Sequence, residues 1–594
     1  MTNRVITLLI LLLPGFLSVT AQDFKEFDRL VEALRLATLS EDLSESADIR
    51  LAEPRLAYVN LTDFPTLPTY KTGERKGWME VYDGAGHYFR KRVVIHGQGG
   101  YSLRYPKNNF SCKFCENDWS GKQTTDIRFG DWVKQDGFHF KAFYTDFSRG
   151  IGEIGYQMFE HFTEDRRPYW ERGGYMNPSR ARCFPDGFPV IVYLNGKFQG
   201  IYAWQLKKHR KNMNMEKHNA SHIHIDGNIS DAHLFAGNIA WNEFEVRNPK
   251  DLYTTYGTVY NNNHPSELMS ERSTHYPPAA DDSETAEAMR RSAQVRAAIV
   301  RLSGYHDELI RLEASGADTA TVRQRFESYF DLESLIDYAV FFYFSANGDG
   351  TLKNWQWFTY DGHKWMVTPY DLDQTLGLGL YGQVRPAYFP IEHITSGPFY
   401  WLDRYYQQEI RQRWHDLRRR NILCDSTLVS IAEDWCERVG DTFYELERQQ
   451  WPTSPCYCEA ICNDGWKPSD QWVQYSGTGN FLLTTTYLPG DLAKEEGRLW
   501  EATDTVKGIK PFIRNATPDS IARLSAWIPE RIVYLDGVFG YQQETAMEEP
   551  ARQETPEGDI IGIYTMAGVR VDRPTRGIYI FRYRNGKSRK VIIQ

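Results

Sequence analysis

Residues 330–378 read FDLESLIDYAVFFYFSANGDGTLKNWQWFTYDGHKWMVTPYDLDQTLGL, and this stretch decides the fold of the chain. Its first part continues a helical pattern of apolar residues. Two short runs rich in Trp, Phe, Val and Thr then flank Asp361-Gly362, a dipeptide typical of tight hairpins. A helical region followed by a strand hairpin predicts an α+β protein. No repeat of solenoid length accompanies it.

Polar residues on either side of this hairpin have the spacing that phosphoryl transfer uses. Asp349 stands five residues before Asn354, and the hairpin ends on Asp371 and Asp373. In phosphoryl transfer one Asp accepts or orients a proton, an Asn amide oxygen joins the magnesium shell, and a second Asp bridges metal and phosphate. Mg²⁺ takes only one or two carboxylates from a protein. Asp371, Asp373 and Asn354 would suffice as its ligands.

Each of these pieces also has a plainer interpretation. An Asp-Gly pair such as Asp349-Gly350 commonly forms a turn, and Asp-x-Asp occurs by chance in long chains. A calcium loop starting at Asp371 is excluded, because its sixth residue is Leu376 instead of Gly and its twelfth is Gly382 instead of Glu.

The first half of the chain, residues 56–206, has the pattern of a sheet. Short runs rich in Val, Ile, Tyr and Phe alternate with Gly, as in RKRVVIHGQGG. VIVYLNGKFQGIYAW predicts two antiparallel strands joined at Asn195-Gly196, because this dipeptide favours the positive backbone angles of a tight turn. Residues 281–340 and 404–448 have helical periodicity instead.

A glycine-containing segment follows one of the predicted strands. Gly97, Gly99 and Gly100 would let backbone N–H groups approach a triphosphate, and Ser102 could donate to it. Gly-rich turns without a ligand are also common. The positive charge for the phosphates would come from one of two downstream lysines, Lys107 or Lys113.

Four ordered motifs give residues 56–444 a resemblance to the CotH kinase-like family (spore-coat protein H type). They are RVVIHGQGGYSLRYPKNNFSCKF, HFKAFYTDFSRGIGEIGY, VYLNGKFQGIYAW and the stretch quoted first. The resemblance implies a bilobal, atypical protein-kinase-like domain with a β-rich N-terminal half and a mostly helical C-terminal half. It implies that the chain binds ATP and Mg²⁺ and phosphorylates protein. Asp349 would be the catalytic aspartate, and Asn354, Asp371 and Asp373 the metal ligands.

One position departs from the family pattern. The family usually has a Glu soon after the Gly-x-Tyr hairpin, able to pair with a phosphate-binding Lys, and Leu206 stands there instead. Glu245, Glu153 or Asp146 could replace it. A pseudo-enzyme that binds nucleotide without transfer is the alternative.

The N-terminus has the features of a signal peptide, residues 1–21, followed by a predicted helix and linker, residues 22–54. The longest later apolar run, near residues 335–346, is too short to span a membrane. The net charge of −9 without a basic stripe argues against a nucleic-acid partner. We therefore expect a secreted or outer-surface protein. Its eight Cys could form disulfides or remain buried thiols, and a structural zinc is the less favoured alternative.

The kinase-like domain is expected over residues 55–450, with small all-β appendages after it. Residues 451–545 form an insertion with a closing helix, and residues 472–511 within it loosely resemble a chitin-binding module. Its aromatics would stack on a polysaccharide or, as the plainer alternative, fill a small core. They are Trp472, Tyr487 and Trp500.

The C-terminal residues 556–594 resemble a type IX secretion sorting domain of a Bacteroidota-type bacterium. That resemblance implies contact with outer-membrane secretion machinery, although a simple packing domain would show the same strands. The leading functional hypothesis is an exported kinase acting on Ser or Thr of a protein substrate. An inactive, carbohydrate-binding surface protein and a metal-dependent enzyme acting on glycans are the alternatives.

Overall fold

A computed structural model shows how these patterns fold. The chain divides into two compact units, residues 1–541 and 542–594. The structure describes residues 41–542 and 560–593, apart from 72, 175–181, 228–243, 250–251, 254–258, 261–282, 349, 351–353, 380–384, 389–396, 453, 455, 457–464, 469–478, 496–497, 510, 512–519, 566–569, 575–576 and 584–587. The predicted signal peptide and the predicted helix after it lie outside these residues, except that residues 41–42 form a short strand.

Seven strands of the first half close into a barrel. Their order is β5-β4-β3-β9-β10-β8-β6, and β6 pairs back onto β5. All neighbours are antiparallel except β3 and β9. The short strand β1 adds to β5, and β2 pairs with β7. The strands are β1 Glu41–Asp42, β2 Asp48–Leu51, β3 Ala57–Thr62, β4 Arg75–Tyr82, β5 His87–Gly97, β6 Phe110–Cys115, β7 Asp126–Phe129, β8 Gly137–Lys141, β9 Gly187–Leu194 and β10 Lys197–Leu206.

Aromatic rings fill the barrel. Phe110 and Phe140 stack with ring centres 4.6 Å apart, and Trp204 packs against Phe140 at 4.8 Å. Because side chains alternate along a strand, Phe138 and Phe140 of β8 point inward, while His139 and Lys141 lie on the outer face. This outer face is where the polar side chains of the site are found.

Helices and a second sheet make up most of the remainder of the first unit. The four-stranded sheet has the order β12-β11-β15-β16. Helix α6 begins at its N-cap Asp331, whose carboxylate accepts the Ser334 N–H at 2.8 Å, and it packs against α1, α7, α8, α11 and β16. The helices are α1 Ile151–Thr163, α2 Tyr169–Arg172, α3 Ser283–Ser303, α4 Tyr305–Ala314, α5 Thr319–Glu327, α6 Leu332–Ser345, α7 Gly397–Tyr405, α8 Gln407–Arg419, α9 Asp425–Val439, α10 Asp441–Gln450 and α11 Ser520–Phe539.

The remaining strands of the first unit are β11 Ile223–Gly227, β12 Phe244–Asn248, β13 Leu252–Tyr253, β14 Val259–Tyr260, β15 Trp355–Thr359, β16 Met366–Pro369, β17 Trp466–Pro468, β18 Thr486–Tyr487, β19 Leu492–Glu495, β20 Arg498–Ala502 and β21 Val506–Lys507. The mixture of helices and strands confirms the predicted α+β class. Both predicted hairpins, β9–β10 and β15–β16, are antiparallel pairs as expected. The two-lobed arrangement stays an interpretation. Among the described residues, no helix combines the length and apolar character that crossing a membrane requires.

Six cysteines lie in the described part of the chain, and none of them forms a disulfide. The thiol interpretation therefore holds for these six, Cys112 and Cys115 included. The described residues also contain no cluster of three His, Cys, Asp or Glu side chains that could hold a metal ion. Cys458 and Cys462 lie outside the described residues.

The small β appendage has an aromatic core of its own. Tyr487 is 7% exposed and Trp500 is 2% exposed, and both pack with Trp466 and Phe481. The plainer alternative is therefore confirmed for these two aromatics, which have no free ring face for a sugar. Trp472 lies outside the described residues.

The second unit is a small antiparallel sheet. The described residues of this unit form three strands, which pair as a meander in the order β22-β23-β24. The strands are β22 Ile560–Thr565, β23 Gly577–Tyr583 and β24 Ser588–Ile593.

A buried ion cluster joins the barrel to the helices. The carboxylate of Glu447, on α10, accepts from Lys107 Nζ at 2.7 Å and from Arg149 Nε at 2.8 Å, and all three side chains have 0% exposure. Its second oxygen accepts the N–H of Ile201 in β10 at 2.8 Å. A Cβ at Gly200 would lie 2.5 Å from this oxygen, so the close approach requires Gly.

Replacing Glu447 with Gln should lower the unfolding free energy far more than the same replacement two residues earlier. The Glu447→Gln variant leaves the buried guanidinium of Arg149 without its counter-charge and removes the carboxylate that holds Lys107, which costs about 3–5 kcal/mol of unfolding free energy. In Glu445→Gln, the lost carboxylate is exposed and has exposed partners, Arg448 and Gln449, so the cost should stay below about 1 kcal/mol. Urea unfolding of both variants measures the difference, and equal losses would contradict a structural role for the cluster.

Candidate functional site

The barrel meets the β15–β16 hairpin at an ion pair. Lys141, the last residue of β8, donates from Nζ to Asp371 Oδ1 at 3.0 Å. Burial opposes the charge on Lys141, but Asp371, Tyr370 and Asp373 more than offset this and raise the pKa of Lys141. Burial likewise opposes the charge on Asp371, yet Lys141 holds the pKa of Asp371 below its ordinary value. Both groups are therefore charged at neutral pH, and Asp373 contributes to the same local field.

Asn354 and Asp371 lie on the two sides of the open end of the hairpin. Asn354 directly precedes β15, and the backbone N–H of Tyr370 donates to its carbonyl oxygen at 3.1 Å. Asn354 has φ 61° and Asp371 has φ 54°. The left-handed conformation is uncommon for residues other than Gly, and such backbone strain clusters at functional sites.

Helix α1 packs against the Asp371 turn. The backbone N–H of Asp371 donates to the buried hydroxyl of Tyr156 at 2.9 Å. One residue earlier on α1, a Cβ at Gly155 would lie only 3.0 Å from the side chain of Leu372. The missing side chain at Gly155 therefore lets the helix approach the turn closely enough for the Tyr156 hydrogen bond.

The glycine segment forms the turn that leaves β5. Gly99 has φ 107°, and a Cβ there would come within 2.1 Å of Ser102 Oγ, so the turn can hold only Gly at this position. Gly97 is equally restricted, because a Cβ there would lie 2.5 Å from the carbonyl oxygen of Tyr70. Gly100 has open space around its Cα and stands immediately before a short 3₁₀ turn, residues 101–104.

Asn109 links this turn to the lysine at the ion pair. Its amide nitrogen donates to Ser102 Oγ at 3.1 Å, and its amide oxygen accepts the N–H of Ala142 at 2.7 Å. Ala142 directly follows Lys141. The glycine segment, Lys141 and Asp371 therefore belong to one connected site, and Asn109 is a positioning residue that the sequence analysis did not select.

The barrel face next to Lys141 is electropositive. His139, two residues before Lys141, lies 2.6 Å from the hydroxyl of Ser111. Burial, together with the charges of Lys207 and Lys141, holds the pKa of His139 well below its ordinary value. The imidazole is therefore neutral at pH 7, and the face carries the charge of lysines rather than of histidine.

The predicted substitutes for the missing Glu occupy different places. Leu206 lies inside the barrel, so it has no role at the ion pair. Asp146 accepts the N–H groups of Gly150 and Ile151 and thereby caps α1. The side chain of Glu245 lies outside the described residues. Glu153, on α1, is the one that remains near Lys141.

Glu153 is a buried acid beside the ion pair. Its Oε1 accepts from the Gln205 amide at 2.6 Å, and its Oε2 is buried with no hydrogen-bond partner in the described part of the chain. Burial, with the nearby charge of Asp186, raises the pKa of Glu153 to about 8. Glu153 is therefore protonated at neutral pH, and Lys141 has its counter-charge in Asp371 instead.

Neither lysine that the sequence analysis selected lies at the ion pair. Lys107 is fully buried against Glu447, where burial lowers its pKa to about 7. The ammonium of Lys113 donates to the carbonyl oxygen of Gly121 at 2.9 Å. Their positions do not support the predicted phosphate contacts, and the lysine at the ion pair is Lys141. In the sequence, Lys141 was indicated only by its position: it is the charged residue at the end of a strand whose aromatic residues alternate.

The oxygen donors at this site suit a hard divalent cation. Asp371 and Asp373 would supply carboxylates and Asn354 an amide. Asp371 already accepts a hydrogen bond from a positive group, the ammonium of Lys141. Mg²⁺ needs only one or two protein carboxylates, so no cluster of three acidic residues is required. Asp349, the predicted catalytic residue, lies outside the described residues.

Comparison with known protein families agrees with this geometry. A glycine turn, a lysine and a metal-binding aspartate are among the parts that protein kinases use for phosphoryl transfer. The CotH kinase protein family matches residues 93–472, which is more than half of the chain. The chain therefore belongs to the CotH kinase family. A search of curated proteins found no match.

The pKa of Glu153 predicts a pH-dependent stability. An unfolded Glu has a pKa near 4.5, so the folded state binds the proton more tightly, and this stabilisation is lost as pH rises through about 8. Between pH 5 and pH 9, the unfolding free energy of Glu153→Gln should rise by on the order of 3 kcal/mol relative to that of the wild type. Thermal unfolding at several pH values measures the gain. Glu164→Gln, an exposed change at the end of the same helix, should show none, and parallel profiles for all three proteins would contradict the prediction.

Proposed function

We propose that this chain is an ATP- and Mg²⁺-dependent protein kinase that phosphorylates Ser or Thr of a secreted or surface protein. The observation that carries the proposal is the Lys141–Asp371 ion pair, formed between the glycine-turn barrel and the hairpin. Phosphoryl transfer depends mainly on positioned charge, and this pair supplies one cation and one metal-binding carboxylate at a single point.

The residues of the site have different roles in phosphoryl transfer. The backbone N–H groups of the segment from Gly97 to Ser102 cover the phosphate chain, and Lys141 moves from Asp371 to a phosphate oxygen. Asp371, with Asn354 and Asp373, would hold Mg²⁺, which would neutralise the developing charge on the phosphates.

The acceptor side of the reaction is assigned to Asp349. The oxygen of the acceptor hydroxyl forms a bond to the γ-phosphorus, the bond to the ADP oxygen breaks, and the hydroxyl proton passes to the Asp349 carboxylate.

The proposal includes export of the protein from the cell. The features of residues 1–21 and the strand pattern of residues 556–594 support passage out of the cell and sorting to the surface of a Bacteroidota-type bacterium. A polysaccharide-binding protein is a weaker alternative, because two of its three predicted stacking aromatics lie in a core.

The kinase proposal is tested with the mature protein and labelled ATP. Asp371→Asn should abolish both autophosphorylation and transfer to an acceptor such as casein, by at least about a hundredfold, because the metal loses its carboxylate. Asp349→Ala should have the same effect on transfer. Asp361→Asn, at the opposite end of the same hairpin, is the matched control and should retain activity. Background incorporation of equal size in the wild type and in Asp371→Asn would sink the proposal.

A further inference from the structure

A second lysine reaches the Asp371 turn from a different element. Lys208 follows β10, and its ammonium lies 4.2 Å from the ring centre of Tyr370, the residue before Asp371. A cation over an aromatic face is attracted by the ring, which limits where the ammonium can move. The charge of Lys208 also helps to lower the pKa of Asp371. Lys208 therefore lies beside the same carboxylate as Lys141.

Asp226 holds Lys208 from the side of the second sheet. Asp226 is on β11 and is only 2% exposed, and its Oδ2 accepts from both Lys208 and Arg247. Its Oδ1 is buried and has no hydrogen-bond partner among the residues that the structure describes. A buried carboxylate of this kind needs nearby positive charge, so Asp226 keeps the two cations in place.

Lys208 combines a fixed position with access to the Asp371 turn. Lys208 and Arg247 both donate to the carboxylate of Asp226. An ammonium carries three N–H donors, so the bond to Asp226 leaves donors for a second oxygen ligand. The side chain of Lys208 is 17% exposed, so its neighbours do not cover it completely.

We propose that Lys208 is a phosphate-contacting residue of this site, positioned by Asp226 and Tyr370, and that its ligand is the polyphosphate chain of a nucleotide. This inference rests on the proposed function, and it adds a second cation to Lys141. Lys141 must leave Asp371 before it can reach a phosphate. Lys208 is already held in place by a buried carboxylate and a ring, so it binds the phosphate chain without that exchange.

The test compares binding of ATP and of inorganic tripolyphosphate, each with Mg²⁺, by calorimetry. Lys208→Met should weaken both by about ten- to a hundredfold, as expected for the loss of a charge-assisted hydrogen bond. Lys208→Arg keeps the charge and should restore most of the binding. Lys211→Met is the matched control, because the Lys211 ammonium bonds the Lys134 carbonyl oxygen instead, and it should bind like the wild type.

The outcomes separate this inference from the proposed function. If the wild type binds neither ligand, the proposed function fails and the inference fails with it. If the wild type binds but Lys208→Met binds equally well, only the inference is overturned. A loss for ATP with none for tripolyphosphate would place Lys208 at the nucleoside and would also overturn it.

A measurement on the wild type covers the case in which Lys208→Met does not fold. Lysines are acylated with and without MgATP, and the modified positions are quantified by mass spectrometry. Bound MgATP should protect Lys208 at least about fivefold and leave Lys211 unchanged, in line with a charge-assisted contact at Lys208 alone. Equal modification of Lys208 in both samples would overturn the inference.

Discussion

The buried carboxylate of Glu447 is the interaction on which the rest of the structure depends. Through Arg149 it organises the loop after β8, because the guanidinium also donates to the carbonyl oxygens of Phe143, Tyr144 and Asp146. That loop separates Lys141 from helix α1. Through Lys107 it anchors the segment that leads to Asn109 and the glycine turn. One buried charge therefore sets the positions of two sides of the site.

The site itself forms where these two sides meet the hairpin. Helix α1 contacts the Asp371 turn through Tyr156, and β8 reaches the same turn through Lys141. Lys208 follows β10 of the barrel, and Asp226 approaches from the second sheet. Since barrel, helix and hairpin each contribute a charged or hydrogen-bonding group, small shifts between them would change the field at Asp371. Fully buried packing between these elements limits such shifts.

Local patterns in the sequence were sufficient to predict individual secondary-structure elements. Asn195-Gly196 and the Asp361-Gly362 region predicted hairpins that the structure contains, because turn conformations depend on the residues in the turn. Asn354 and Asp371 could be paired from the sequence for the same reason, since the strands between them fold back on each other. Lys107 was misjudged: a lysine after a glycine segment looks the same in the sequence whether its ammonium faces a ligand or a buried Glu 340 residues later.

The sequence by itself determined the α+β class, the two hairpins and the family, and with the second hairpin it placed Asn354 and Asp371 at the same open end. Only the tertiary structure decided that the strands close into a barrel, that Lys141 is the lysine at Asp371, and that Lys208, Asp226 and Asn109 belong to the site. The physical reason is the range of the interactions. Turns and strand periodicity involve neighbouring residues, whereas ion pairs such as Lys141 with Asp371 join residues 230 positions apart, and burial decides which charges are paired.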